Sequence, residues 1–121
     1  MHLWSGVITE KVTESRDFYV RLFGCDVLFD EPWCVVLRFG DSEVGFMQPE
    51  LPQQAPVFRG AYPGQGVWFT LDVDDVDAEH ARLSALGVPI AVSLRDEDWG
   101  DRHFSVIDPN GIGVDIVTRA G

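Results

Sequence analysis

The strongest constraint on the fold of this chain is an internal repeat marked by two tryptophans. The segments 4–15 and 68–79 begin with Trp4 and Trp68, and each reads as an alternating strand that leads into the start of a helix. Self-similarity at a fixed spacing indicates repeated structural units more reliably than local propensity does. In a chain of 121 residues, this repeat predicts two similar modules side by side.

The first module is predicted to have the order βαβββ. After an alternating strand, a helix begins at Thr13, has Glu14 in its first turn where the dipole favours an acid, and ends at Gly24. Aromatic and aliphatic residues repeat along this helix at helical spacing. The predicted strands are 3–10, 25–29, 33–40 and 43–48.

The second module repeats this order. Its helix is predicted from about Asp77 to Leu86, and Gly87 follows its end. The tetrapeptide 108–111, Asp-Pro-Asn-Gly, is a strong turn signal between the last two strands. The predicted strands are 66–74, 89–95, 102–108 and 112–118.

A connector, 49–65, separates the modules and contains four of the seven prolines. It is longer than a usual structureless loop, so it is either a lid over a binding site, which its two aromatic residues favour, or a plain linker. Each module, about 1–48 and about 66–121, is small for a core of its own, so the two are expected to share a core or to be exchanged between subunits. The sequence predicts one α+β domain, 1–121, whose two βαβββ modules form cupped mixed sheets with helices on the convex side.

The charge balance limits the partners of the protein. The chain has 20 Asp and Glu against 9 Lys and Arg, a formal net charge of -11. Such a field repels nucleic acid and anionic lipid and attracts cationic ligands, although it also serves solubility alone. No apolar run approaches the roughly 18 residues of a membrane span, and no signal peptide is recognised. We therefore expect a cytoplasmic protein with neither a nucleic-acid nor a membrane partner.

The two cysteines, Cys25 and Cys34, flank a predicted hairpin turn. No CxxC pair and no cluster of Cys and His at zinc spacing accompanies them. Thiols in a cytoplasmic chain are more often free than paired. The sequence therefore favours free cysteines and leaves a disulfide between them open.

Strand alternation places a group of side chains on the concave faces of the two sheets. An apolar pocket with a few polar groups is typical of a small-molecule site. The alternative is that the tryptophans fill the interior, but the glycines in the group argue for unfilled space. His103 is an open candidate for the same cavity. The group comprises Trp4, Gly6, Gly45, Met47, Trp68, Thr70, Asp72, Gly113 and Asp115.

Two motifs make the chain resemble a known family. Phe18-Tyr19 lies in the first helix, and residues 99–111 read Trp-Gly-x-Arg-x-Phe-x-x-x-Asp-Pro-Asn-Gly. With the paired modules, these motifs resemble the vicinal oxygen chelate superfamily and, within it, the glyoxalase/bleomycin resistance proteins. The resemblance implies a homodimer, and the second motif adds Trp99 and Arg102 to the candidate site residues.

The enzymes of this superfamily hold a divalent metal with one ligand from each of four strands. The resemblance maps these positions onto Trp4, Trp68, Asp115 and Gly45, with Glu43 two residues before Gly45 on the same face. An indole and a glycine offer no ligand, and one aspartate is too few, since such sites generally need three or more protein ligands. We therefore expect no metal, no other cofactor and no catalytic residue.

Two functions of different classes follow from the resemblance. The favoured one is a metal-free small-molecule-binding protein that resembles the antibiotic-sequestering members of the family; the alternative is a metal-dependent lyase, isomerase or dioxygenase. Indole faces stack on planar rings and attract cations, so the expected ligand is aromatic and cationic or electron-poor, with Asp115 or Asp72 as the partner of a ligand amine. The predicted ligand-binding residues are Trp4, Gly45, Met47, Trp68, Thr70, Trp99, Arg102, His103 and Asp115.

Overall fold

The computed structural model describes residues 1–119 and divides the chain into two compact units. Unit 1 is Met1–Gly64, and unit 2 begins at Gln65. Each unit has one α-helix and a four-stranded mixed sheet in the predicted order, so the α+β class and the two βαβββ modules are confirmed. Among the described residues, no helix is long and apolar enough to cross a membrane.

The elements of unit 1 are β1 Ser5–Ile8, α1 Val12–Phe23, β2 Asp26–Glu31, β3 Cys34–Phe39 and β4 Ser42–Met47. The sheet order is β1-β4-β3-β2, in which β1 runs parallel to β4 and the other pairs are antiparallel. The first strand is shorter than the predicted 3–10, because its pairing with β4 extends only from Ser5 to Ile8.

Helix α1 begins one residue before the predicted start and ends at the predicted glycine. Gly24 adopts the left-handed conformation (φ 61°), and its N–H donates to the carbonyl of Val20. Buried Tyr19 stacks on Phe46 of β4, with ring centroids 5.5 Å apart, and meets Phe39 of β3 edge-on at 5.7 Å. These contacts define the helix face of the sheet; the opposite face is called the helix-free face.

The connector that follows β4 is folded against unit 1. Buried Gln54 accepts a hydrogen bond from the backbone N–H of Leu51 (2.7 Å) and donates one to the carbonyl of Gln48 (2.9 Å). Further along, the backbone N–H of Tyr62 donates to the carbonyl of Ile8 in β1 (2.8 Å). The connector is therefore held by hydrogen bonds to itself and to neighbouring backbone groups of unit 1, and its role as a lid stays a prediction.

The elements of unit 2 are β5 Trp68–Asp72, α2 Val76–Ala85, β6 Val92–Asp96, β7 Arg102–Ile107 and β8 Gly113–Thr118. The sheet order, β5-β8-β7-β6, is equivalent to that of unit 1. Asp75 caps α2 by accepting a hydrogen bond from the backbone N–H of Ala78 (3.1 Å). His80 of α2 meets the Phe104 ring of β7 edge-on, with centroids 5.0 Å apart, which identifies the helix face of the sheet.

The turn between β7 and β8 forms where the sequence predicts it. The buried carboxylate of Asp108 accepts hydrogen bonds from the backbone N–H groups of Asn110 (2.8 Å) and Ile112 (2.9 Å). Gly111 adopts a positive φ of 82°, which a glycine tolerates. This turn fixes the register of the hairpin, so that Ser105 of β7 lies opposite Asp115 of β8.

Candidate functional site

The helix-free face of unit 2 has an apolar end with open space. Trp68 of β5 and Ile107 of β7 lie on either side of Gly113 in β8, in one row across three strands. A Cβ atom added to Gly113 would meet no atom within 4 Å. The Trp68 side chain is 72% exposed, and its Nε1–H donates to the hydroxyl of Thr70 (3.0 Å). At this end, an exposed, hydrogen-bonded indole therefore lies beside the open space above the backbone of Gly113, which is called the floor below.

The next row across the same strands is polar and is centred on Asp115. Thr70 and Ser105 are its partners on the two neighbouring strands. The Oδ1 atom of Asp115 accepts a hydrogen bond from the Ser105 hydroxyl (2.8 Å) and lies 2.6 Å from Nδ1 of His103. Within residues 1–119, the other oxygen, Oδ2, has no hydrogen-bond partner. One carboxylate oxygen is thus held by the protein, and the second remains available.

His103 lies between two carboxylates. Its Nδ1 bonds Asp115, and its buried Nε2 is 3.6 Å from Oε1 of Glu97, too far for a hydrogen bond. The hydrogen bond to Asp115 and the two negative charges raise the pKa of His103, and burial opposes them only in part. Glu97 also accepts a hydrogen bond from Nε of Arg95 (2.6 Å). The arrangement favours the imidazolium form.

Ser105, His103 and Asp115 are the residue types of a hydrolytic triad, but their hydrogen bonds differ from those of a triad. In a triad the serine hydroxyl gives its proton to the histidine, which the carboxylate orients. Here the Ser105 hydroxyl donates to Asp115, and His103 bonds the same carboxylate oxygen. His103 is therefore not placed to activate Ser105 as a nucleophile.

The residues at the family's metal positions do not fit a catalytic metal centre. Trp4, Gly45 and Trp68 supply no ligand atom, which leaves Asp115 as the single possible ligand among the four positions. Nδ1 of His103 is engaged by Asp115, and Nε2 lies 3.6 Å from Oε1 of Glu97 without a hydrogen bond. In the described part of the chain, no group of three or more His, Cys, Asp or Glu side chains could hold a metal ion.

Two predicted site residues come from the motif in 99–111, and the structure places them differently. Trp99 lies in the turn after β6, where its ring is 6.4 Å from that of His103 and its Nε1–H donates to Asp101 (3.0 Å). Arg102 lies on the helix face, where Nη2 and Nε bond the carboxylate of Asp77 in α2 (2.8 and 3.1 Å). Trp99 therefore lies beside His103, whereas Arg102 lies on the opposite face of the sheet.

The other predicted site residues lie on the helix-free face of unit 1. Gly6 and Gly45 are paired across β1 and β4, and Met47 is two residues further along β4. The Trp4 ring covers Gly45, because its Cζ3 atom would be 3.4 Å from a Cβ added there. Val36 of β3 borders the same glycine. The side chains around Gly45 are thus apolar, in contrast to the row around Asp115 in unit 2.

Two residues that contact the site, Ser105 and Glu97, were not among the predicted site residues. Strand alternation places Ser105 in phase with His103, but its contact with Asp115 depends on the hairpin register. Glu97 lies beyond the end of β6 and carries no periodic signal. Its side chain becomes relevant only because the turn brings it beside His103.

The two cysteines are free, as the sequence favours. Both thiols are half-buried, and burial raises the pKa of Cys25 to about 11 and also raises that of Cys34. A raised pKa lowers the thiolate fraction at neutral pH, so neither cysteine has the character of a reactive nucleophile.

The profile of the Glyoxalase/Bleomycin resistance protein/Dioxygenase superfamily matches residues 3–116. The chain belongs to this family. The match confirms the resemblance that the paired modules and the motif in 99–111 indicated.

Relatives and solved structures of the family are similar over most of the chain. An uncharacterized protein of Mycobacterium bovis is 29% identical over 117 residues, which cover 87% of this chain and 74% of that protein. The chain spans 66% of the length of matching Mycobacterium tuberculosis proteins.

Two solved structures that are similar to this chain have names that describe different functions. TnmS3, an antibiotic binding protein from Streptomyces sp. CB03234, superposes with a TM-score of 0.75 at 25% identity, over 99% of this chain and 97% of that chain. A lactoylglutathione lyase from Agrobacterium tumefaciens superposes with a TM-score of 0.78 at 21% identity, over 96% and 92%. The second similarity shows a shared fold alone.

Proposed function

We propose that this protein is a metal-free binding protein that captures a planar aromatic ligand on the Trp68 side of unit 2. The observation that carries the proposal is the exposed indole of Trp68 beside the open floor at Gly113, one row from the carboxylate of Asp115. An apolar surface with a few placed polar groups is the usual composition of a small-molecule site. Trp4, Gly45 and Met47 lie together on the helix-free face of unit 1 and are proposed as ligand-binding residues of that unit.

The chemistry of the site favours capture over catalysis. Three of the four metal positions lack a ligand atom, and the Ser105 hydroxyl is not bonded to His103. The similarity to TnmS3, an antibiotic binding protein, supports the same class of function. A lactoylglutathione lyase has the same fold, but no donor set of the described residues favours such chemistry here.

The proposed ligand is aromatic and either cationic or electron-poor. Offset stacking on an indole contributes about 0.5–1.5 kcal/mol, and a cation over its face contributes about 0.5–2 kcal/mol, depending on desolvation. The net charge of -11 attracts a cation over a longer range. Acridine dyes, which are planar and cationic, are therefore suitable probes.

The proposal is tested by titrating the protein with proflavine and following the polarisation of the dye fluorescence. Trp68→Ala is expected to weaken binding at least tenfold, about 1.4 kcal/mol, without loss of the fold. Trp33→Ala, in the hairpin of unit 1 between β2 and β3, is the matched control. Absence of saturable binding, or equal affinities of the wild type and Trp68→Ala, would contradict the proposal.

A further inference from the structure

We infer that the polar end of this site recognises an N–H donor of the ligand, such as a protonated primary amine or an amidine, through Oδ2 of Asp115, and that His103 and Ser105 are positioning residues that present this oxygen. The inference rests on the proposed function and specifies which ligand group lies beside the stacked ring. It also assigns distinct roles to the two oxygens of one carboxylate.

The structure distinguishes between the two acids that the sequence offers for this role. Asp72 is held by Arg119, whose Nε and Nη2 lie 2.8 and 2.9 Å from its two oxygens. Both oxygens of Asp72 are therefore engaged with a positive charge. Asp115 has only Oδ1 engaged and leaves Oδ2 without a partner among residues 1–119.

The orientation of the Asp115 carboxylate is fixed before any ligand binds. Two donors, the Ser105 hydroxyl and Nδ1 of His103, converge on Oδ1 at 2.8 and 2.6 Å. His103 is held in turn beside Glu97. The Asp115 side chain is 29% exposed, so Oδ2 is accessible on the helix-free face. A pre-oriented acceptor loses less conformational entropy on binding than a mobile one does.

The available atom selects the chemistry of the ligand. An ionised carboxylate only accepts hydrogen bonds, so it binds an N–H group and rejects a ligand carbonyl or carboxylate. Charge-assisted hydrogen bonds are about twice as strong as neutral ones, which favours a protonated amine over a fully alkylated cation. Strand geometry separates the Cα atoms of Trp68 and Asp115 by about 8 Å, so the N–H group belongs at the edge of the stacked ring system.

The test compares two dyes that share a ring system and a positive charge. Proflavine carries exocyclic amino groups, whereas acridine orange carries dimethylamino groups and has no exocyclic N–H. The wild type is expected to bind proflavine at least tenfold more tightly than acridine orange. Asp115→Asn is expected to abolish this preference, because its carbonyl faces His103 and Ser105 and its NH2 group replaces the acceptor.

The positioning role is tested by the ratio of the two affinities. His103→Leu is expected to weaken proflavine binding more than acridine orange binding, which lowers the preference for proflavine. His103→Gln, which keeps an N–H donor, is expected to restore part of the preference. Ser105→Ala leaves the Asp115 carboxylate and His103 in place and is a second variant for the same comparison. Thermal unfolding checks that each variant is folded. A parallel fall in both affinities would show a merely structural role and overturn this part of the inference.

The outcomes separate the inference from the proposed function. If both dyes bind through Trp68 with equal affinity, or if Asp115→Asn keeps the preference, the inference is wrong and the capture function stands. If neither dye binds the wild type, the proposed function is contradicted together with the inference.

Discussion

Replacing Gly113 with valine is expected to change stability and ligand binding in opposite directions. Gly113 lies in β8, has no positive φ, and has open space where a Cβ atom would be placed. A glycine inside a strand is destabilising by about 0.5–1 kcal/mol relative to alanine, and valine fits a strand better still. The free energy of unfolding should therefore rise by about 0.5–1 kcal/mol. The new side chain would occupy the floor between Trp68 and Ile107, so proflavine should bind at least tenfold more weakly.

Urea denaturation measures the first effect, with the slope of the transition unchanged, and dye polarisation measures the second. Gly60→Val is the matched control, because Gly60 also has open space and no positive φ but lies in the connector. Its proflavine affinity should equal that of the wild type. If Gly113→Val binds proflavine as tightly as the wild type does, the floor lies outside the site and the proposed position of the ligand is wrong. A loss of stability would show that the space is not open.

Three further predictions concern charge and assembly. The pKa of His103 is raised in the folded state. The stabilisation by protonated His103 is therefore complete below the ordinary histidine pKa of about 6.5 and is lost as the pH rises through the pKa of the folded protein. Urea denaturation across this pH range should show the loss of stability in the wild type and little of it in His103→Gln. Arg102→Gln should leave proflavine affinity unchanged, because Arg102 bonds Asp77 on the helix face; a tenfold loss would return it to the site. Light scattering at micromolar concentration should give a dimer, since each module is small for a core of its own and the family resemblance implies a homodimer; a monomer would contradict this.

The repeat and the alternation of side chains predicted most of the fold. The tryptophan repeat gave the two modules, and period-two alternation placed Trp68 and Asp115 on one face because that period is a property of any strand. Strand ends were less predictable, since an alternating pattern continues past the residues that find a partner. The alternating pattern spans 3–10, but the first strand extends only from Ser5 to Ile8, because these are the residues that pair with β4.

The hydrogen bonds of the site depend on register and on turns, which the sequence specifies less strongly. Ser105 reaches Asp115 because the Asp108 turn sets the hairpin register. Glu97 reaches His103 only through the turn after β6. The motif suggested Arg102 as a ligand contact, but alternation from Phe104 places it on the helix face. An ion pair with α2 is a tertiary contact, and no local pattern encodes it.

Capture of an aromatic ligand without a metal is best tested by titrating chelator-treated protein with proflavine, with elemental analysis of the same sample. We expect saturable binding that depends on Trp68, with far less than one metal ion per chain and with the dye recovered unchanged. Binding that appears only when a divalent ion is restored, or turnover of a bound molecule that requires that ion, would contradict it.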